Sequence, residues 1–216
     1  MKKIKFSKQE KQNIKEAISK IEKTTSGEIV TFFVNKSDNY NSVAAWSSLF
    51  AGIIFLLIIN ILSYFWLLPF KFNILQYSLF QILIMGFIYV SVSFIQPLKR
   101  LLIRKEKKEK AVHKRALEAF INEEVFNTKE RTGILIFISE FENQVEIIAD
   151  SGINDELKNK ELKELVDTIN KGINKNKTAE GIITAIHLYG NILVKKGYSI
   201  KSDDTNELKD DLRTEN

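Results

Sequence analysis

The sequence predicts an α/β fold, interrupted by a two-helix transmembrane hairpin. Three observations carry this reading. Two apolar runs, Val43 to Leu68 and Ile74 to Ile95, contain no Asp, Glu, Lys or Arg. One strand-like stretch, Glu28 to Val34, precedes them, and two more, Gly133 to Ile138 and Val145 to Ala149, follow them; each is rich in β-branched or aromatic residues. A lone strand cannot cover its own face. The first is therefore expected to pair with strands roughly a hundred residues later, which places the hairpin inside one domain. The expected division is 1–42 and 98–198 as the two parts of that domain, 43–97 as the hairpin, and 199–216 as a disordered acidic tail.

Both runs are long enough to span a bilayer. A helix rises ~1.5 Å per residue, so about 20 residues cross a ~30 Å hydrocarbon layer. Soluble core helices rarely stay uncharged on every face for that length. The turn Pro69-Phe-Lys-Phe-Asn73 carries a single charge, Lys71, whereas Lys99, Arg100, Arg104, Lys105, Lys107, Lys108 and Lys110 follow the second run. Basic flanks stay on the cytoplasmic side, so both termini are expected in the cytoplasm and the turn outside, in the plasma membrane of a bacterium. Trp46, Trp66 and Tyr77 suit the headgroup levels. Asn60 and Gln81 are candidates for hydrogen bonds between the two helices. The small residues Ala44, Ala45, Ser48 and Gly52 are candidates for helix–helix contact between copies, and so for a homo-oligomer.

The flanking elements read in order as follows. Ser7-Lys-Gln-Glu10 fits a capping box. The helix after it sets Ile14, Ala17, Ile18 and Ile21 on one stripe and is expected to end near a left-handed Gly27. The strand Glu28 to Val34 follows, with Glu28 as a surface residue at its start. Asn35 to Asn41 is a polar linker into the membrane. After the hairpin, Pro97 kinks or ends the second span. A further helix carries Val112, Ala116, Ala119 and Phe120, and Asn127 to Thr132 form a turn. Gly133 to Ile138 is almost unbroken in apolarity, as in strands buried on both faces, and forms an antiparallel hairpin with Val145 to Ala149. Asn154 is a plausible cap for a helix carrying Leu157, Leu162, Leu165, Val166 and Ile169. The last helix, about Thr178 to Lys196, turns Ile182, Ile183, Ile186, Tyr189 and Leu193 inward.

Charge and composition narrow the function classes. The net charge is +5, but 97–110 alone holds seven basic and two acidic residues. The basic excess is thus a collar beside the bilayer, where each Lys or Arg near an anionic leaflet is worth about 1 kcal/mol. A nucleic-acid surface is not expected, because no aromatic-interleaved basic motif appears. The absence of cysteine excludes disulfides, thiolate metal sites and a cysteine nucleophile.

Five stretches resemble the TPM domain family, which takes its name from thylakoid and membrane-associated members. They are Phe6-Ser-Lys-Gln-Glu10, Glu22-Lys-Thr-Thr-Ser-Gly-Glu-Ile29, Glu130-Arg-Thr-Gly-Ile-Leu-Ile-Phe-Ile138, Val145-Glu-Ile-Ile-Ala-Asp-Ser-Gly-Ile153 and the late helix around Gly181. The hairpin between the first strand and the next helix is similar to a subgroup with an internal membrane anchor. The resemblance implies a small mixed sheet flanked by helices. It also implies links to assembly or repair of membrane complexes, to calcium binding and to phosphatase activity; none of these follows from fold alone.

The residues that would carry such chemistry cluster at one strand-to-helix turn. Asp150 ends a strand, and Asp155 and Glu156 begin the next helix, a common ligand position in α/β sheets. These three are the candidate metal ligands, with calcium the candidate ion, aided by carbonyls of the Ser151 to Asn154 turn. The alternative is structural: Asp150 closes the turn while Asp155 and Glu156 favour the helix's positive end. Asp150 is also the candidate nucleophile of a metal-dependent phosphatase, with Ser151 and Gly152 as backbone donors. His113 and His187 fall on different helices and are expected to be solvated and edge residues, respectively. The leading expectation is a non-enzymatic module bound to the lipid bilayer that takes a protein partner; a phosphatase and a calcium-responsive domain are the alternatives.

Overall fold

The computed structural model describes residues 4–67, 73–153, 160–198 and 207–215. In chain order the elements are α1 (Lys8–Glu22), β1 (Ile29–Val34), α2 (Asn41–Tyr64), α3 (Ile74–Phe94), α4 (Gln96–Leu102), α5 (Lys105–Asn122), β2 (Ile134–Ser139), β3 (Gln144–Ala149), α6 (Leu162–Asn174), α7 (Thr178–Lys196) and β4 (Arg213–Glu215). They fall into two units. One joins Met1–Asp38 to Glu109–Asn216; the other is Asn39–Lys108.

In the first unit the Ser7 hydroxyl accepts the Glu10 N–H and the Glu10 carboxylate accepts the Ser7 N–H, which opens α1 as its sequence requires. Ile14, Ala17, Ile18 and Ile21 share its buried stripe. The helix ends at Glu22, and Gly27 does not adopt a positive φ. The expected left-handed cap is therefore absent, and what Gly27 supplies is space: a Cβ there would stand 2.3 Å from Leu193 Cδ1.

The sheet runs β3-β2-β1-β4. β1 and β2 are parallel, from Ile29 opposite Ile134 to Val34 opposite Ser139; β2 and β3 are antiparallel, from Ile134 opposite Ala149 to Ser139 opposite Gln144. The first strand thus pairs across the whole interruption, and the sheet is mixed. A parallel pair needs a long crossover, and this crossover contains α2 to α5. Side chains alternate between faces. Ile29, Phe33, Ile134, Ile136 and Ile138 pack with α1, α6 and α7, while Val30, Val34, Leu135 and Phe137 pack with Val112, Ala116 and Ala119 of α5. Every residue of β2 is buried, which accounts for its unbroken apolar run. Each large aliphatic side chain removed from water contributes about 1.5–3 kcal/mol. α6 and α7 meet through Gly172 and Gly181, where a Cβ on Gly172 would come within 2.7 Å of the Gly181 Cα.

The C-terminal segment differs from the expected disordered tail. Residues 207–215 are placed, and β4 adds to β1 in parallel, Phe32 opposite Arg213 and Val34 opposite Glu215. Leu212 is buried in the same core layer as α1.

In the second unit α2 and α3 are long and apolar enough to cross a membrane. Asn73 opens α3 through a reciprocal pair with Gln76. α3 stops at Phe94, and Pro97 lies in the first turn of α4, where its missing N–H costs nothing. Ala44, Ser48 and Gly52 are buried within this unit, and Ala45 is exposed. Gly52 faces α3 so closely that a Cβ would lie 2.7 Å from Met85 Sδ. Within the hairpin, then, Gly52 serves close packing of α2 on α3. Asn60 donates to Leu56 O at 2.8 Å, within its own helix, and not across to α3. At the base, Lys99 Nζ donates to Asn39 O at 2.6 Å, and Lys107 Nζ stands over the Tyr40 ring, 5.9 Å from its centroid. Two cations of the basic collar thus fasten the start of α2.

Candidate functional site

Most buried polar groups of the first unit lie at the end of the sheet where β1 and β2 begin and β3 ends. Asp150 is placed there by the sheet itself, since its N–H donates to Gly133 O at 2.9 Å just beyond the last β2–β3 pair. Asp150 is buried. Its Oδ1 accepts the Ser151 N–H at 2.7 Å, and its Oδ2 lies 2.9 Å from Arg131 Nε. Arg131 is held in turn: it adopts φ +57°, its guanidinium stands over the Phe126 ring, and its carbonyl accepts the Gly152 N–H at 2.8 Å. A Cβ on Gly152 would meet the Glu130 carbonyl oxygen at 2.3 Å, so only glycine permits this contact between turns. Tyr198 Oη donates to Gly152 O at 3.1 Å. The Asp150 carboxylate thus stands against the Arg131 guanidinium within a network that fastens two turns together. To attack phosphate it would first have to leave that cation.

Asp155 and Glu156, the other two candidate metal ligands, lie outside the described residues, as do Asn154 and Leu157. Among the described residues no three His, Asp or Glu side chains converge as a metal-ligand set. The two histidines stay apart. His113 Nδ1 lies 3.0 Å from Glu146 Oε1 on the solvent side, and His187 is half-buried on α7.

Three carboxylates that the sequence reading did not select are buried. Glu28, expected at the surface, is 7% exposed and accepts the Glu207 and Leu208 N–H groups at 3.3 and 3.2 Å. Glu22 accepts the Ile29 N–H at 3.0 Å. Burial pushes Glu22 up to about 8, against the pull of that hydrogen bond, with the Glu28 and Asp210 carboxylates raising it further. At the opposite edge Glu142 accepts the Ser37 N–H at 3.1 Å and the Ser139 hydroxyl, and Ser37 Oγ donates to Ser139 Oγ at 3.0 Å. A sequence signal existed for Glu22, which stands four residues after Ile18 and eight after Ile14 and so falls on the core stripe of α1. For Glu28 and Glu142 the partners come from chain segments more than a hundred residues away, and no local pattern announces them.

The fold and this edge define an α/β domain with a mixed sheet, whose β1–β2 connection carries an apolar helical hairpin. Residues 100–192 match the family model of the TPM domain, the same domain that the sequence stretches resemble. The match begins in α4; the family-like stretches from Phe6 to Ile29 precede it and join it through the β1–β2 ladder. The NMR structure of the BA42 protein from the psychrophilic bacterium Bizionia argentinensis has a similar fold. Its TM-score is 0.59 at 18% identity, over 100% of this chain and 99% of that one. No curated protein matches the chain.

Proposed function

We propose that this protein is a membrane-anchored TPM module whose α/β unit sits in the cytoplasm and binds a protein partner, serving assembly or maintenance of a membrane complex. The observation that carries the reading is the position of the hairpin. It lies within the crossover between two hydrogen-bonded strands, so the chain enters and leaves the bilayer from a single domain. Most large side chains of α2 and α3 are exposed hydrophobics, as lipid-facing helices require, and the basic collar favours retention on the cytoplasmic side. The pairing of Asp150 with Arg131 supports a binding role over phosphoryl transfer.

The absence of native cysteine provides the test. Lys71→Cys and Lys195→Cys, probed in intact cells with a membrane-impermeant maleimide, are expected to label only at position 71. In-cell photo-crosslinking from the α/β unit is then expected to capture a reproducible partner that a 39–108 hairpin alone does not. Labelling at position 195 would reverse the topology, and no captured species would remove the interaction role.

A further inference from the structure

The C-terminal segment 207–215 lies along the outer edge of β1 in a way that the anchor does not require. From Leu212 to Glu215 its side chains alternate as a strand's do. Leu212 enters the core layer of α1, and Leu208 packs on the other side with α5. Arg213 Nε pairs with Glu123 at 2.7 Å, and Glu215 pairs with Arg115 of α5. On the other wall Lys15 of α1 pairs with Asp211 at 3.0 Å, and Lys11 Nζ lies 3.5 Å from Thr214 Oγ1. At the entrance Glu28 holds the Glu207 and Leu208 N–H groups. The segment therefore fills a groove with one apolar pocket and charges of set order, cation for position 211, anion for 213 and cation for 215.

The hold on this segment is slight. Only three residues pair with β1, Leu212 is its one buried hydrophobic side chain, and the Lys15–Asp211 pair is largely exposed. Exposed pairs contribute little and are screened by salt. Strand addition to a sheet edge is a common mode of peptide recognition, with main-chain bonds giving affinity and alternate side chains giving selectivity. Without residues 207–215, β1 would be such an edge.

We propose that the outer edge of β1, between α1 and α5, is an acceptor groove for an extended segment of a partner protein, and that residues 207–215 are its displaceable resident. The fitting partner strand runs parallel to β1 with an acidic, apolar, basic order followed two residues later by a second acidic side chain, as in Asp211-Leu-Arg-Thr-Glu215. The inference rests on the interaction role proposed above and assigns its surface.

The probe is a fluorescent peptide of the chain's own residues 207–215, added to the full-length protein in detergent. Leu212→Asp, which loosens the resident segment, is expected to bind the peptide at least about tenfold more tightly than wild type, the wild-type segment competing from within. Arg213→Glu, which replaces no core side chain, is a second route to the same release and is expected to act alike. Adding Glu123→Arg to Leu212→Asp is expected to abolish the gain, and a peptide carrying Glu in place of Arg213 to restore it; added to Arg213→Glu, the same change rebuilds an ion pair with the resident segment and is expected to return binding to the wild-type level. Peptide binding no tighter than wild type in both variants would overturn the groove while leaving the crosslinking test of a partner untouched. Concentration-dependent wild-type dimers that the peptide dissolves would overturn the foreign partner in favour of exchange between two copies.

Discussion

Ile136 of β2 and Leu57 of α2 are both aliphatic residues in unbroken apolar runs, yet Ile136 is fully buried and Leu57 is 58% exposed. Ile136 lies under α1, α6 and α7 in a sheet covered on both faces. Leu57 belongs to the α2–α3 hairpin, in which Gly52 and its neighbours form the packed side of α2 and most other large side chains are exposed. The α/β unit supplies its own apolar environment, whereas the hairpin leaves most of its large apolar side chains exposed on helices long and apolar enough to cross a membrane. The same residue type is thus a packing element in one region and a solvent-matching element in the other.

The largest effect that would break this contrast comes from paired truncations. Ile136→Ala removes contacts on every side and is expected to destabilise the α/β unit by about 2–5 kcal/mol. Leu57→Ala, at an exposed position of α2, is expected to change the stability of the protein in bilayer discs by less than about 0.5 kcal/mol. Thermal or denaturant unfolding of the two variants reads both. A comparable loss at Leu57 would mean that α2 is covered by protein on that face.

The second effect concerns charge in the buried region. Glu22 titrates near 8 in the folded protein, whereas an unfolded glutamate titrates at roughly 4.3. Between those values the native state keeps a proton that the unfolded chain releases, so stability falls as pH rises through this window and levels off above it. Glu22→Gln keeps an acceptor for the Ile29 N–H without the charge. It is expected to flatten the slope and to raise stability at pH 8.5 by about 1–3 kcal/mol, with little change at pH 5. Melting curves at the two pH values decide; equal slopes in wild type and variant would show that Glu22 is ionised throughout.

These contrasts also explain what the sequence could disclose. The hairpin, α1, β2 and α7 are legible because their patterns are local: chain length without charge, a 3–4 residue stripe, a continuous apolar run. That β1 pairs with strands beyond the hairpin followed from the inability of one strand to cover itself, and the mixed sheet came from the family resemblance; the choice of β2 as its neighbour and the parallel direction are visible only in the ladder. β4 was not legible. Arg213-Thr-Glu215 has no strand pattern, and its conformation is imposed by the edge of β1 and by Glu123 and Arg115 on α5. Asp150 was found at the strand end, but Arg131, its partner, lies in another turn, and the spacing of Asp150, Asp155 and Glu156 gave no sign of it. Gly27 misled for a related reason: glycine marks either a left-handed turn or a close approach, and only tertiary contact with Leu193 distinguishes them.

Smaller effects test the two interiors directly. Gly52→Leu pushes a side chain into Met85 and is expected to weaken hairpin packing by about 1–2 kcal/mol, seen as a longer distance between spin labels on cysteines placed in α2 and α3. Met85→Ala in the same chain is expected to restore the spacing, because the obstruction is a flexible side chain and not backbone. Failure of that rescue would place the constraint elsewhere in the pair.

The smallest effect compares how each region treats a polar atom in apolar surroundings. In α2 the Asn60 amide satisfies itself on Leu56 O. In α7 the Tyr189 ring is fully buried, its hydroxyl has no partner among the described residues, and burial raises the phenol far above its usual value. An unpaired hydroxyl in an apolar interior is a cost that the ring's packing must offset. Tyr189→Phe keeps the ring and removes the hydroxyl, so it is expected to leave stability unchanged or to raise it by up to about 1 kcal/mol, measured by chemical unfolding. A loss of more than about 1 kcal/mol would mean that this hydroxyl is satisfied, and that the α/β unit, like the hairpin, tolerates no idle polar group in its interior.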